Sequence, residues 1–437
     1  MRGIPSIVSC VVCFLAAALG SSAAGATVTV STWSQLWSAV ANRKPGDEIV
    51  LNPGVYNVSN SLYMNSCDGL VMRGATGDAN DVILRGPGMN VQAEPYTAVQ
   101  LASSYMTLRD LTIEAFFHHG VQFQPGYTGR LVENVTVRNC GEQYIKGAKF
   151  NYSPIIRNCL LYQTQARLNG FSGRPDNYTG GIDLHGARDF QIHDNVIKDI
   201  FPADPTAGDA GIFLWNESAN GVIERNVVVN CPKGVALGNP SNSSRVWHGD
   251  GIIVRNNFIV RGQNVGIELC YVRNIGISNN TLYSADGSYF RSVHLLDDYS
   301  GVYMPMANVV LANNILRGNI LDNTRGSTFT LNNNLMGSVP QASWFVNAGA
   351  GNLHLTPSAT PAIDAATPLA EVTTDFDGQA RPAGAGPDIG ADEYVQADFN
   401  ADGKVDLDDL ITLIDSMAGP DRKSTRLNSG HRIRSRM

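Results

Sequence analysis

Two sets of side chains in this 437-residue sequence have the types and spacing to do chemistry. The first is Asp398, Asn400, Asp402, Lys404, Asp406 and Asp409, in the order D-x-N-x-D-G-K-x-D-x-x-D with Gly403 at the sharp turn. Ca²⁺ is a hard ion that takes about six to eight oxygens, and a loop with this spacing wraps around it. Lys404 offers its backbone carbonyl, Asp406 acts through water and Asp409 closes the site. The second set is scattered: Lys146, Asp183, His185 and Arg188, with Gln122, Gln124, Tyr144, Phe213 and Trp215. Brought together, such groups supply a cation for a carboxylate, a base for an acidic C–H and an acid for a leaving oxygen. The aromatic and amide side chains suit sugar rings and hydroxyls.

A repeat is what brings these distant residues onto one face. From about residue 98 to 337 an alternating stretch such as Gly120-Val-Gln-Phe-Gln124 recurs, followed by an aliphatic-x-x-Asn unit. Examples run from Leu131-Val-Glu-Asn134 through Ile192-His-Asp-Asn195, Ile223-Glu-Arg-Asn226, Val254-Arg-Asn-Asn257 and Ile277-Ser-Asn-Asn280 to Leu311-Ala-Asn-Asn314 and Leu331-Asn-Asn-Asn334. Cys159 takes the Asn place in one turn and Asp110 in another. Simple turns are 20 to 24 residues long, a period that means a solenoid. Period-two runs rich in Val and Ile make its rungs strands, not helices. The Asn residues are read as a ladder whose amides satisfy one another.

Alternation sends Val99/Leu101, Val121/Phe123, Ile182/Leu184, Ile212/Leu214, Val235/Leu237 and Ile267/Leu269 inward. Two outward columns follow. One is Gln100, Gln122, Tyr144, Asp183, Phe213, Ala236, Glu268; the other is Ala102, Gln124, Lys146, His185, Trp215, Gly238, Cys270. Insertions at 166–179, 202–209 and 239–250 flank this face and would wall it into a groove.

Charged residues are 16% of the chain, Gly numbers 44 and the formal net charge is −7. An acidic body gives no reason to expect nucleic acid or an anionic membrane as partner. Residues 1–26 read as a signal peptide, with an apolar run near Ile7 to Leu19 and Ala24-Gly-Ala26 as the cleavage site. The chain is therefore expected to be secreted. Cys67, Cys140, Cys159, Cys231 and Cys270 are too scattered for a disulfide framework and read as core fillers.

Near the start, Trp33 to Val40 has the pattern of an amphipathic helix, followed by Pro45-Gly-Asp-Glu-Ile-Val-Leu51 and Pro53-Gly-Val-Tyr56. With these segments the chain resembles the pectate lyase-like β-helix superfamily over residues 27 to 337. The resemblance implies an all-β, right-handed parallel β-helix solenoid with an N-terminal capping helix. The expected divisions are 27–97 for the N-terminal cap and first turns, 98–337 for the repeats and 338–394 for the C-terminal cap. It also implies an extracellular polysaccharide as substrate, since the superfamily holds lyases, hydrolases, epimerases and binding proteins. A polysaccharide lyase acting on a uronic-acid polymer would use Lys146 as base, provided its pKa is lowered, and His185 as base or acid. Arg188, or Ca²⁺ held by Asp183 with Glu217 or Asp209, would neutralise the carboxylate. A glycoside hydrolase would need paired carboxylates, and His248-Gly-Asp-Gly251 matches only part of the polygalacturonase signature. A non-catalytic carbohydrate-binding or surface protein would need only the aromatic and polar columns.

Residues 395–421 resemble the first half of a type I dockerin, an EF-hand-like module whose loops close with Asp. That resemblance implies bound Ca²⁺ and a cohesin-type scaffold protein as partner, with docking weakened because one loop stands alone. Residues 422–437 carry six basic side chains and no acid and resemble a translated sequencing adaptor. They are read as foreign to the protein; the alternative is a basic tail for an anion.

Overall fold

The computed structural model describes residues 25–395 except 166, 169–177, 203–208, 261–264, 285–290 and 300, together with 407, 408, 411 and 412. Residues 1–24 of the expected signal peptide and the ligands of the calcium loop, Asp398 to Asp409, lie outside the described residues.

Alternating aliphatics do build rungs. A ten-stranded parallel sheet runs from Leu62–Asn65 to Ile320–Asn323, one strand per turn of the chain. A second, 25-stranded sheet carries the other sides of the coil. The inward pairs Val99/Leu101, Val121/Phe123, Ile182/Leu184, Ile212/Leu214, Val235/Leu237 and Ile267/Leu269 are all fully buried. The five described cysteines are buried and unpaired. The helix Trp33–Ala41 starts at Thr32, whose hydroxyl accepts from Gln35 N, and places Leu36 and Val40 in the same core.

Beside the inward pairs runs a row of glycines: 120, 181, 211, 234 and 266. Where glycine faces glycine or a neighbouring carbonyl, the rungs leave no room for a Cβ. A Cβ at Gly181 would lie 2.3 Å from the carbonyl oxygen of Gly211 and one at Gly266 2.5 Å from that of Ser292.

The asparagine ladder exists and holds six residues. The amide groups of Asn195, Asn226, Asn257, Asn280 and Asn314 each donate to the carbonyl oxygen of the next, ending on Asn334, at 2.9–3.0 Å. Each of these oxygens also accepts the backbone N–H of the preceding ladder residue. An unsatisfied buried amide costs about 1–3 kcal/mol; the stack avoids that cost at both ends of each side chain. Asp110 and Asn134 do not belong to it. The pairing Val132↔Ile156↔Ile192 puts Val135 opposite Cys159 and leaves Asn134 one position earlier. Asp110 and Asn134 occupy left-handed bends, φ 60° and 49°, where short polar side chains are favoured, and bond to each other at 2.8 Å.

That outer bend position explains the C-terminal segment. In later turns it is Asn256, Asn279, Asn313 and Asn333, all with positive φ. Their amides donate to the carbonyls of Thr374, Asp388, Thr367 and Ala365. Residues 338–394, expected to close the end of the coil, thus lie along its flank across several rungs. Trp344, Phe345, Leu353 and Ile389 pack there on the outward side chains Phe258, Val260, Tyr283 and Ile315.

Candidate functional site

The ten-stranded sheet sets one outward column by its register. It runs Gln100, Gln122, Lys146, Asp183, Phe213, Ala236, Glu268, His294. Lys146 therefore sits between Gln122 and Asp183, not in the column of His185 and Gln124. Tyr144 is not in either column. Its whole side chain is in the core, because it falls in the glycine row: Gly120 N donates to Tyr144 O, and Gln143↔Gly180 with Ile145↔Ile182 put it opposite Gly181. Residues with no side chain on both sides leave room for the ring. Tyr144 is thereby removed from the substrate-binding set.

The buried Tyr144 hydroxyl has no hydrogen-bond partner among the described residues. Tyr144→Phe is expected to leave stability unchanged or raise it by about 1 kcal/mol. A urea unfolding curve checks this; a midpoint lowered by as much as a lost hydrogen bond would show that the hydroxyl is bonded.

Around Lys146 the side chains converge. Its Nζ pairs with Asp183 Oδ2, donates to Tyr178 OH at 2.8 Å and lies 3.0 Å from His185 Nε2. Trp215 Nε1 donates to Asp183 Oδ1 at 3.1 Å, and the His185 ring stands 4.1 Å from that of Trp215. Asp183 is covered, at 1% exposure, although it points outward from the coil. His185 is more open, with 18% of its side chain exposed.

These neighbours decide the charges. Burial opposes the Lys146 ammonium, but Asp183 and Tyr178 outweigh it and hold its pKa above the ordinary lysine value. Lys146 is thus a cation and not the base that the sequence suggested. Burial likewise opposes the Asp183 carboxylate, and Lys146 and His185 outweigh it, keeping its pKa well below the usual range. His185 Nε2 faces both the Lys146 ammonium at 3.0 Å and Asp183 Oδ1 at 3.4 Å. Burial pushes the Tyr178 hydroxyl up, so it keeps its proton.

The alternative of Ca²⁺ on Asp183 is not built here. Its oxygens face Lys146 and Trp215, Glu217 pairs with Lys149, and Asp209 bonds to Gln143 at 2.8 Å. Burial raises the Asp209 carboxyl to about 7, helped by the nearby charge of Asp183. Arg188 stands past the Gly186 bend, paired in register with Tyr152 and Ala219 on the adjoining face. It lines a separate cavity of about 340 Å³ with Glu217, Trp247, Asp250 and Arg273. Gln124 donates to Gln100 and Gln122 flanks Lys146, both partly exposed. Phe213 and Trp215 stack at 5.8 Å beside the cluster.

Sequence reasoning missed Tyr178 and His119, and took His248 only as part of a fragmentary hydrolase signature. Tyr178 lies in the 166–179 insertion, so its reach to Lys146 follows from tertiary path. His119 stands two residues before the Val121–Phe123 strand and bonds to Gln143 O at 2.8 Å; burial, then Lys146, lowers it to about 3. His248 is buried beneath Trp215, accepts from Asn239 N and is lowered to about 4 by burial. Asp250, next to it, is bound by Arg273, so the His248–Gly251 stretch contributes no carboxylate to the cluster.

The sequence matches the family model of the right handed beta helix region over residues 18–246, more than half of the chain. This chain belongs to that right-handed β-helix family. No curated protein matches it in sequence. The β-helix overlays on a crystal structure of pectate lyase Pel9A with a TM-score of 0.57 and 13% identity, covering 85% of this chain and 97% of that one. A polygalacturonase from Erwinia carotovora ssp. carotovora gives 0.49 and 13%, over 72% and 93%. An alginate lyase from Paenibacillus sp. str. FPU-7 gives 0.47 and 16%, over 71% and 99%. At such identities the likeness of this β-helix to them is one of fold.

Proposed function

We propose that this β-helix protein is a polysaccharide lyase that cleaves a uronic-acid polymer by β-elimination over the Lys146–His185 cluster. The observation that carries the reading is one ammonium, Lys146, within hydrogen-bond reach of both His185 Nε2 and the Tyr178 hydroxyl. In this reading Lys146 turns toward the C6 carboxylate and neutralises it, which acidifies the C5 proton. His185 Nε2 takes that proton. The C5 electron pair forms the C4=C5 double bond as the C4–O bond breaks, and Tyr178 protonates the departing oxygen. Asp183 stays ionised and orients Lys146 and Trp215. Phe213, Trp215, Gln122 and Gln124 supply stacking and hydroxyl contacts to the sugars.

The hydrolytic alternative needs two carboxylates about 6.5–9.5 Å apart, or nearer in the retaining case. Asp183 and Glu268 share the outward column but are three rungs apart, about 14 Å at the usual strand spacing. Asp183 is also engaged by Lys146. Asp209, whose carboxyl feels the charge of Asp183, is bonded by Gln143, and these engagements favour elimination over hydrolysis.

The test is incubation of the full chain with alginate, pectate and chondroitin while following ultraviolet absorbance and reducing ends. Elimination raises both, because it leaves a conjugated C=C. Reducing ends alone mean hydrolysis, and no change with any polyuronate ends the proposal. Two further parts of it are supported by the sequence alone: Ca²⁺ at Asp398–Asp409 by the loop spacing, and secretion followed by weak docking to a cohesin-type scaffold by the signal-peptide pattern and the dockerin resemblance. Calcium-dependent binding to an immobilised cohesin tests the second. Among the described residues no helix is long and apolar enough to cross a membrane.

A further inference from the structure

The segment along the flank concentrates acids outside the Lys146 cluster. Asp375, Asp388, Asp392 and Glu393 are all buried. Three of them are fully engaged. Asp375 accepts from the backbone of Asp377, Gln379 and Glu393, and Asp388 from Asp364 and Tyr394. Glu393 accepts from Ala383 and Asp388 and pairs with Arg381.

Asp392 is different. It is 4% exposed, one oxygen accepts from Leu355 N at 2.6 Å, and its other oxygen has no donor among the described residues. Beside it stand His354 and Asp377, with one ligand atom of each of the three within 4.8 Å of the others. The tautomer of His354 is constrained from outside this trio. Asn352 Oδ1 accepts the backbone N–H of His354 and lies 2.6 Å from its Nδ1, so Nδ1 carries a proton. The remaining nitrogen, Nε2, faces Asp377 Oδ2 at 2.8 Å. A nitrogen lone pair and two carboxylates thus converge on one point. A single proton on Nε2 satisfies Asp377 and leaves the second Asp392 oxygen without a donor among the described residues. A divalent ion satisfies all three.

We propose that His354, Asp377 and Asp392 form a site for a first-row divalent transition metal. One imidazole and two carboxylates match Zn²⁺ or Mn²⁺, whereas Ca²⁺ and Mg²⁺ take oxygen shells. A ring N–H fixed on a carbonyl oxygen, here Asn352, is the usual outer partner of a metal-bound histidine. Phe258 and Phe376 hold the His354 ring edge-on at 5.1 and 5.6 Å. Asp377 is exposed in its turn, beside Gly378 at φ 83°, and gives the ion a way in and the ligands room to adjust. Bound there, the ion ties the strand Asn352–Leu355 to the Asp377 turn and to the Asp388–Tyr394 stretch, three pieces of the flanking segment.

The full chain, stripped with a chelator, is titrated with ZnCl₂ and MnCl₂ by calorimetry, and its Co²⁺ form is examined for visible d–d absorption. The expected result is one saturable equivalent, a melting temperature raised by several degrees with excess metal, and a Co²⁺ band from mixed nitrogen–oxygen coordination. Asp377→Asn, an exposed change that leaves the fold intact by circular dichroism, and His354→Gln both lose that equivalent. CaCl₂ does not compete for it, whatever it does at the Asp398 loop. No saturable Zn²⁺ or Mn²⁺ binding, or an equivalent that survives Asp377→Asn, overturns the proposal.

Discussion

His185→Ala is expected to lower turnover of a cleaved polyuronate by at least about a hundredfold, with a melting temperature close to that of the parent. The activity loss follows from position. His185 Nε2 lies 3.0 Å from the Lys146 ammonium, and its side chain is more open than those of Lys146 and Asp183. The stability statement follows from what the ring touches. It lies against Trp215 at 4.1 Å, and its removal leaves Lys146 still held by Asp183 and Tyr178. A partly open site of this kind shifts stability by about half a kcal/mol or little more. Initial rates of ultraviolet increase on the parent's best polymer, beside a thermal scan, read both quantities. Unchanged turnover would remove His185 from the chemistry and leave it a spacer between Lys146 and Trp215. His185→Gln separates the roles: it keeps a polar group at the site but no base, so a base role predicts the same loss.

The inward residues of this site's scaffold were legible in the sequence and part of its surface was not, for reasons that differ residue by residue. Ile182/Leu184 and Ile212/Leu214 alternate with polar or aromatic neighbours, so period two alone assigns their faces. The stretch Gly141-Glu-Gln-Tyr-Ile-Lys-Gly147 has no such alternation. Tyr144 and Ile145 both turn inward there, and a shift of register carries every outward side chain with it. That is why Lys146 and Asp183 look two positions apart along the chain pattern and are direct neighbours across rungs. The same ambiguity arises at Leu131-Val132, two aliphatics in a row, where only the pairing with Ile156 shows that Asn134 is a bend residue. Contacts made by insertions, such as Tyr178 on Lys146, have no periodicity to reveal them. The charge of Lys146 depends on burial set against two specific partners, which residue order does not encode.

Lys146→Met is expected to be the most destabilising single change at the cluster, by about 3–5 kcal/mol near neutral pH, with activity lost as well. The lysine and aspartate side chains are 10% and 2% exposed, so removing the cation leaves a carboxylate in a site built to be neutralised, and breaking such a pair costs that much. The pH dependence distinguishes this from a packing defect. In the parent, Asp183 has a depressed pKa, so its contribution is present above the unfolded value of about 3.9 and is lost as pH falls toward the folded one. In the variant the sign reverses. Burial now acts unopposed by the lysine and raises the carboxyl, so stability is full below about pH 4 and falls as pH rises through the new value. The gap between the two proteins should therefore close on acidification, read as converging urea midpoints from pH 7 to 4. Lys146→Met combined with Asp183→Leu removes both charges and should recover much of the loss at neutral pH while remaining inactive. A gap that stayed constant with pH would mean that Lys146 is held by packing and that the ion pair contributes little.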